Sequence, residues 1–383
     1  MYERRRQELD IKTNIKAKIK SFAASLGLPL VGVTSAEPLA EEEKIFTRRQ
    51  EEGTYPPLAE QRMPRRTRPA ALLSEVRSII SLAAPYFTDP ITAIDRLPEA
   101  GVGVIARYAI NRDYHAVWRE KLHRLTLFIK AQLRQPVNTK FWVDSGPPPE
   151  KALAQKAGLG YVGKNTLLYT ALFGSFVHLG ELYTSVDLEP DPPCRREECG
   201  ACRRCLSACP SGALSAPYFI RAELCLSYLT QMRGPIPREK RRLLGNHLWG
   251  CDVCQEVCPR NQSLSAAPAV PLSDPLLPRF LPAADILRLS EEEYIARFGS
   301  TAIGWRPVAV LQRNAAICLG NCGDPRYIPV LATSLRENPH PMVRGASAWA
   351  LGAIGGREAH LLLLKAKSRE HHAQVLEEIE AAL

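Results

Sequence analysis

The spacing of apolar positions changes several times along this chain, and those changes divide it into regions. Residues 12–34 begin with a helical pattern and end in "LPLVGVTS", which has the density of a strand. Residues 40–75 are polar and basic, with Arg62, Arg65, Arg66 and Arg68 close together. The run "VRSIISLAAPY" (76–86) predicts a buried strand. In "RDYHAVWREKLHRLTLFIKAQLR", Val117, Leu122, Leu125 and Leu127 predict an amphipathic helix with Asp113 as its N-cap. "KFWVDSGP" (140–147) predicts a strand ending in a turn, and "PEKALAQKAG" (149–158) a helix stopped by glycine. "TLLYTALFGSFVHLGELYTSV" (166–186) supplies further strand material. This alternation predicts an α/β domain over residues 1–186.

"DLEPDPP" (187–193) leads into a cysteine-rich region over residues 187–265, and "SAAPAVPLSDPLLPRFLP" (265–282) is a proline-rich exit from it. A weak repeat follows within residues 266–383. "RNAAICLGNCGDPRYIPVLATSL" from Arg313 and "RGASAWALGAIGGREAHLLLL" from Arg344 align at a spacing of about 31–32 residues. Each copy has a small-residue helix ending in Leu-Gly, a turn and a second apolar helix, which is the pattern of helical solenoids. Two copies are too few for an array, so this part is expected to dock on the rest of the chain.

Composition narrows the class. The chain has 383 residues, 45% of them hydrophobic and 23% charged, as in a soluble globular protein of two or three domains. Its apolar runs fall short of the roughly 18–20 residues that span a bilayer. The N-terminus "MYERRRQELDIKTNIKAKIK" lacks the apolar segment of an export signal, which places the protein in the cytoplasm. Net charge is +10, which suits a polyanionic partner.

The eleven cysteines say more: nine lie between 194 and 258, and the others are Cys318 and Cys322. Such clustering in a cytosolic chain points to metal rather than disulfides. "CGACRRCLSACP" has the spacing C-x2-C-x2-C-x3-C-P of bacterial ferredoxins, in which three thiolates hold one iron–sulfur cube and the fourth reaches a neighbouring cube. "CDVCQEVCP" repeats the logic, and Cys225 stands alone upstream. The first cluster is then expected to take Cys199, Cys202, Cys205 and Cys258. The second takes Cys209, Cys225, Cys251 and Cys254. Two zinc sites are the alternative that C-x2-C pairs also allow, though zinc motifs rarely interlock a Cys-Pro terminus in both halves. Cys194 has no assigned task, and Cys318 and Cys322 read as small core residues.

Two motifs mislead. "GLGYVGKN" (158–165) matches G-x-G-x-x-G and nearly matches a P-loop, but both need a strand before and a helix after, the reverse of the pattern here. A glycine-rich bend with Lys164 and Asn165 projecting into a site fits better. "DYHAVW" starts like the cobalamin motif D-x-H-x-x-G, but Trp118 stands where the glycine belongs. His115 therefore reads as a structural or substrate-side histidine.

Taken together, "RYAINRDYH", "VDSGPPPEKALAQKAGLGYVGKNTLL", "GSFVHLGEL", "CLSYLTQ", "GCDVCQEVCP" and "QRNAAICLGN" resemble the epoxyqueuosine reductase family over nearly the whole chain. The resemblance implies a reductive-dehalogenase-like cobalamin-binding α/β domain, a ferredoxin-like domain with two [4Fe-4S] clusters and a HEAT-like helical repeat. It implies two-electron reduction of the epoxide of epoxyqueuosine at wobble position 34 of a tRNA with a GUN anticodon, giving queuosine. The cobalamin would be base-off, in keeping with the missing glycine, and a low-potential donor would supply electrons to a monomeric enzyme. Asp144 would be the proton donor, with its pKa raised by desolvation at a strand end. Corrin contacts would come from Asp144, Arg107, Lys164, Asn165, Ser227, Asp252 and Gln255. Arg66 is a further candidate in "RTRP", where the family reads R-x-D-P and this chain has Arg68 in place of the acid. Residues 195–260 hold eleven Lys/Arg against six Asp/Glu, and Arg233, Arg238, Lys240, Arg241 and Arg242 would grip the anticodon stem-loop. Competing readings are a reductive dehalogenase of a small organohalide and an electron carrier without catalysis. The second of these leaves "VDSGP" idle.

Overall fold

The computed structural model describes residues 2–87, 99–133, 136–194, 199–262 and 274–383, with side chains from residue 14 onward. The stretch 263–273, and with it the start of the proline-rich exit, lies outside the described residues.

The N-terminal region is built on a four-stranded sheet in the order Leu30–Ser35, Ser78–Pro85, Val177–Thr184, Thr139–Trp142. All three pairings are antiparallel. Helices Tyr2–Ser25 and Tyr114–Gln132 cover one face, where Ile19, Trp118, Leu122, Leu125 and Ile129 meet Leu82 and Leu182. The buried stripe of the second helix is Trp118, Leu122, Leu125 and Ile129, at helical spacing, so Leu127 points outward and is exposed, against expectation. Asp113 caps this helix as expected, accepting the His115 N–H. The short helix Glu150–Lys156 covers the other face through Leu153, against Ile79 and Tyr183. It comes so close that a Cβ on Gly32 would sit 2.0 Å from the Ala157 carbonyl oxygen, which is why that strand position is glycine.

The three regions are interwoven. Val102–Ile105 pairs in parallel with His247–Trp249 of the cysteine region and antiparallel with Phe280–Pro282 of the C-terminal region. One hydrophobic core accordingly runs through Ile105, Trp249, Leu281 and Ile317. The repeat consists of two helix pairs, Val308–Cys322 with Ile328–Glu337 and Pro341–Ile354 with Gly356–Lys367, followed by Ala373–Glu380. Arg313 is fully buried and donates to the carbonyls of Leu229, Thr230, Met232 and Gly234. Asn314 donates to Thr230 and Leu248. These bonds satisfy backbone carbonyls that would otherwise be buried unpaired, and they dock the repeat on the cysteine region. No helix among the described residues is long and apolar enough to cross a membrane.

Candidate active site and cluster sites

Asp144 stands just beyond the strand Thr139–Trp142, in the left-handed backbone region at φ 52°. Its carboxylate is 62% exposed and lies on the walls of two cavities, one of about 1320 Å³ and one of about 370 Å³. Tyr114 Oη donates to Asp144 Oδ2 at 2.7 Å, and His115 Nε2 lies 3.6 Å from the same oxygen. The other ring nitrogen of His115, Nδ1, is 2.8 Å from Asp113 Oδ1. The capping aspartate of the helix therefore also orients the imidazole against Asp144.

Three rings carry the arrangement. Tyr114 stacks on His115 on one side and on His178 on the other, at centroid distances of 4.2 and 3.9 Å. The two histidines are driven in opposite directions. Burial lowers His115, but hydrogen bonds to Asp113 and Asp144 overcome it and raise the pKa to about 9. Burial dominates at His178 and lowers it to about 3. His178 is thus neutral at physiological pH, and its Nε2 has no hydrogen-bond partner among the described residues.

Asp144 departs from expectation. Desolvation by the surrounding protein pushes its pKa up, but the charge of His115 and the hydrogen bond from Tyr114 prevail and hold it below the usual carboxylate range. At neutral pH the proton of this dyad resides on His115. Tyr114 had not been assigned to the site from the sequence, and His115 had been read only as a structural or substrate-side histidine. The signal was present in "RDYH", two adjacent ring residues just after a cap.

The 370 Å³ cavity is lined both by Asp144, Tyr114 and His178 and by Cys209, Cys225, Cys251 and Cys254. Asn165, Ser227, Asp252 and Gln255 also line it. Asn165 is buried and donates to Tyr169 Oη and to the Cys254 carbonyl. Asp252 accepts the Arg107 N–H at 2.7 Å, and Gln255 accepts from Ser175 Oγ at 3.0 Å. Ser227 Oγ accepts from Gln231 Nε2.

The remaining candidates sit elsewhere. Lys164 donates to the carbonyls of Gly200 and Cys202 and so braces the first cysteine loop. Arg107 is buried, ion-paired with Glu256 at 3.3 Å, and lines neither cavity. Arg66 lines only the larger cavity, where it donates to the carbonyls of Pro147 and Pro148 at 2.9 and 3.0 Å.

All cysteines among the described residues are free. The electrostatic neighbours of Cys205 are Cys258, Cys199 and Cys202, and those of Cys254 include Cys251, Cys225 and Cys209. The chain thus gathers two quartets, each drawing on both motifs. Among the described residues no three His, Cys, Asp or Glu side chains converge as they would on a single ion. A cube of four irons spreads its thiolates more widely than one ion does, so neighbourhood is the relevant relation here. Cys194 lies apart, lining the larger cavity.

Of the five basic candidates beside the clusters, two are consumed internally. Arg241 is buried and donates to both carboxylate oxygens of Glu378, and Arg238 pairs with Glu378 at 3.0 Å. Both fasten the last helix, Arg241 from the interior and Arg238 from a half-buried position. Arg233 and Arg242 are exposed, and Lys240 donates to the Glu223 carbonyl.

A thiol-rich domain wedged between an α/β layer and a helical repeat, with a cavity joining one quartet to a carboxylate, defines an iron–sulfur oxidoreductase. Family models agree region by region: "4Fe-4S double cluster binding domain" over residues 198–261, "Epoxyqueuosine reductase QueG, DUF1730" over 66–145 and "HEAT repeats" over 307–383. The epoxyqueuosine reductase of Bacillus subtilis is 33% identical over 375 residues, covering 96% of this chain and 95% of that protein. That of Escherichia coli K12 is 34% identical over 383 residues, covering 97% and 98%. A crystal structure of an epoxyqueuosine reductase with an epoxyqueuosine-modified tRNA-Tyr stem loop superposes with a TM-score of 0.89 at 33% identity, covering 97% of this chain and 98% of that one. A Bacillus subtilis structure described with its catalytic aspartate loop swung out of the active site gives 0.88 at 32% identity, covering 97% and 98%. The chain belongs to the epoxyqueuosine reductase family.

Proposed function

We propose that this chain reduces the epoxide of epoxyqueuosine at the wobble position of a GUN-anticodon tRNA to the cyclopentene of queuosine, using two [4Fe-4S] clusters and base-off cobalamin. The observation that carries the reading is the 370 Å³ cavity, whose lining includes both the inner cysteine quartet and Asp144. Removing the epoxide oxygen as water takes two electrons and two protons. The cluster that the thiolates would hold passes the electrons one at a time, and the dyad holds one of the two protons, the second entering from solvent as His115 is recharged.

The first cluster is assigned to Cys199, Cys202, Cys205 and Cys258 and the second to Cys209, Cys225, Cys251 and Cys254, as the two neighbourhoods favour. Cobalamin fits the donor set beside the inner quartet: Asn165, Ser227, Asp252 and Gln255 offer amide, hydroxyl and carboxyl groups to the polar rim of a corrin, and the adjoining 1320 Å³ cavity gives room for a large ligand. When bound it supplies a strongly reducing metal centre between one-electron clusters and a two-electron reaction. Lys164 and Arg107 are not part of this set, and Arg66 acts on the Asp144 loop.

The chain's own residues manage the protons. Tyr114 and His115 hold Asp144 toward the cavity, and His115 stores a proton 3.6 Å from the Asp144 carboxylate. Filling the cavity excludes water and raises the carboxylate's proton affinity, so the proton moves from His115 to Asp144 and on to the departing oxygen. His178, neutral and stacked on Tyr114, supports this arrangement without adding a second positive charge.

Arg233, Lys240 and Arg242 form the reduced set of phosphate contacts. Arg238 and Arg241 are withdrawn because both are tied to Glu378, Arg241 in the buried interior. We place the enzyme in the cytoplasm as a monomer served by a low-potential electron donor.

The test is anaerobic assay of protein reconstituted with iron, sulfide and cobalamin, given a strong reductant and an epoxyqueuosine-bearing stem-loop. Loss of one oxygen from the modified base, with a small organohalide left untouched, is the expected result. Stoichiometric zinc and an unchanged base would refute the reading.

A further inference from the structure

The Asp144 loop is clamped from beneath by a carboxyl group that the reaction does not use. The Asp144 N–H donates to Glu150 Oε1 at 2.5 Å, and this bond closes the turn that leaves Asp144 at φ 52°. Such a φ is uncommon for a residue with a Cβ and persists only where its surroundings impose it. Glu150 in turn lies within hydrogen-bonding reach of Glu181. Glu181 is fully buried in the middle of the sheet, opposite Ser81 on one neighbouring strand and Trp142 on the other. Ser81 Oγ reaches Glu181 Oε1 at 3.5 Å, while Oε2 has no donor among the described residues. Two carboxyl groups in contact, one without access to water, are compatible only if a proton lies between them.

We propose that Glu150 is a positioning residue of the reaction: sharing a proton with Glu181, its carboxyl holds the Asp144 amide and fixes the direction in which the Asp144 carboxyl points. The inference rests on the proposed reductase activity for its kinetic consequences and on the clamp geometry for the rest. Other groups around the pair are accounted for. Asp144 from the loop adds negative charge, Arg66 from the Met63–Thr67 helix and Lys151 from the helix of Glu150 add positive charge, and Ser81 and Tyr183 approach from the sheet. Burial prevails over the cations: Glu181 is pushed well up and Glu150 to about 8. A raised carboxyl pKa means that the neutral pair, and with it the clamp, is complete below the ordinary carboxylate range. It is lost as pH rises through about 8. Above that pH Glu150 ionises beside the Asp144 carboxylate while Glu181 keeps its proton, and the repulsion between Glu150 and Asp144 loosens the loop.

Two variants and three readouts test this on the full-length protein. Glu150→Gln keeps an oxygen to accept the Asp144 N–H and an amide to meet Glu181, without a titrating proton. Glu150→Ala removes both. Glu150→Ala is expected to speed amide exchange across residues 144–149 in protein free of cofactor, and to lower kcat by about a hundredfold with KM for the stem-loop little changed. Glu150→Gln should hold kcat within about threefold and move the alkaline fall in activity from near pH 8 toward that of His115 near 9. The infrared band of buried protonated carboxyls should be present in the parent protein and weaken, as Glu150 ionises, when pH rises through about 8. Unchanged exchange in Glu150→Ala, or absence of that band at neutral pH, overturns the proposal. If the parent protein does not reduce epoxyqueuosine, the functional reading fails, while exchange and the infrared band still decide the clamp.

Discussion

The two cysteine quartets come from near-copies of one motif, yet they occupy different surroundings. In the outer set Cys202 is exposed, and Lys164 braces its loop from the side. The inner set lines the cavity that also holds Asp144, and burial pushes the thiols of Cys225, Cys251 and Cys254 up. Ligand spacing alone would make the quartets equivalent; their neighbours set a solvent-facing one apart from one at the cavity. On the proposed function the difference gives the molecule a direction, the solvent-facing cluster being the entrance for electrons and the inner one their exit toward the cavity.

The contrast can be broken most severely at its inner end. Cys254→Ala should lose about half of the cluster iron and all detectable epoxide reduction, whatever reductant is used. Cys202→Ala should lose a similar share of iron but keep about a tenth of the turnover driven by a small, strong reductant that can reach the inner cluster directly. Equal losses in the two variants would abolish the distinction between entrance and exit. Iron analysis beside single-turnover assays makes the comparison.

The same inside–outside contrast separates the basic residues. Glu378→Ala strands the buried guanidinium of Arg241, so thermal unfolding should show a loss of about 3 kcal/mol while turnover per folded molecule is kept. Arg233→Ala, on the exposed side, should leave stability alone. It should weaken stem-loop binding about fivefold and reduce the slope of log affinity against log salt by about one.

How much of this was readable beforehand follows the same division. The double-cluster character of the cysteine region was legible because its spacing is local, and the helical repeat because its period is written in the chain. The helix carrying Tyr114 and His115 was legible too, down to its Asp113 cap. Partners distant in sequence were not. Arg238 and Arg241 look like free cations until Glu378, 137 residues beyond Arg241, is brought to them. Lys164 points to a cysteine loop 36 residues away, and Arg107 is drawn into a pair with Glu256. Asp144 itself was found, but the direction of its pKa was not, because desolvation at a strand end could be read from "VDSGP" while the opposing hydrogen bonds from "YH" could not. The interweaving of three regions through one three-stranded sheet left no sign in the pattern of short apolar runs that compose it.

The central claim is that a carboxyl on the cavity wall, recharged by His115, delivers protons to an oxygen leaving carbon. Asp144→Ala tests it most directly. Assayed without oxygen, the variant should keep its iron, its cobalt and its affinity for the stem-loop, and lose at least about a hundredfold in turnover. Turnover close to that of the parent protein, with cofactors intact, would contradict the account.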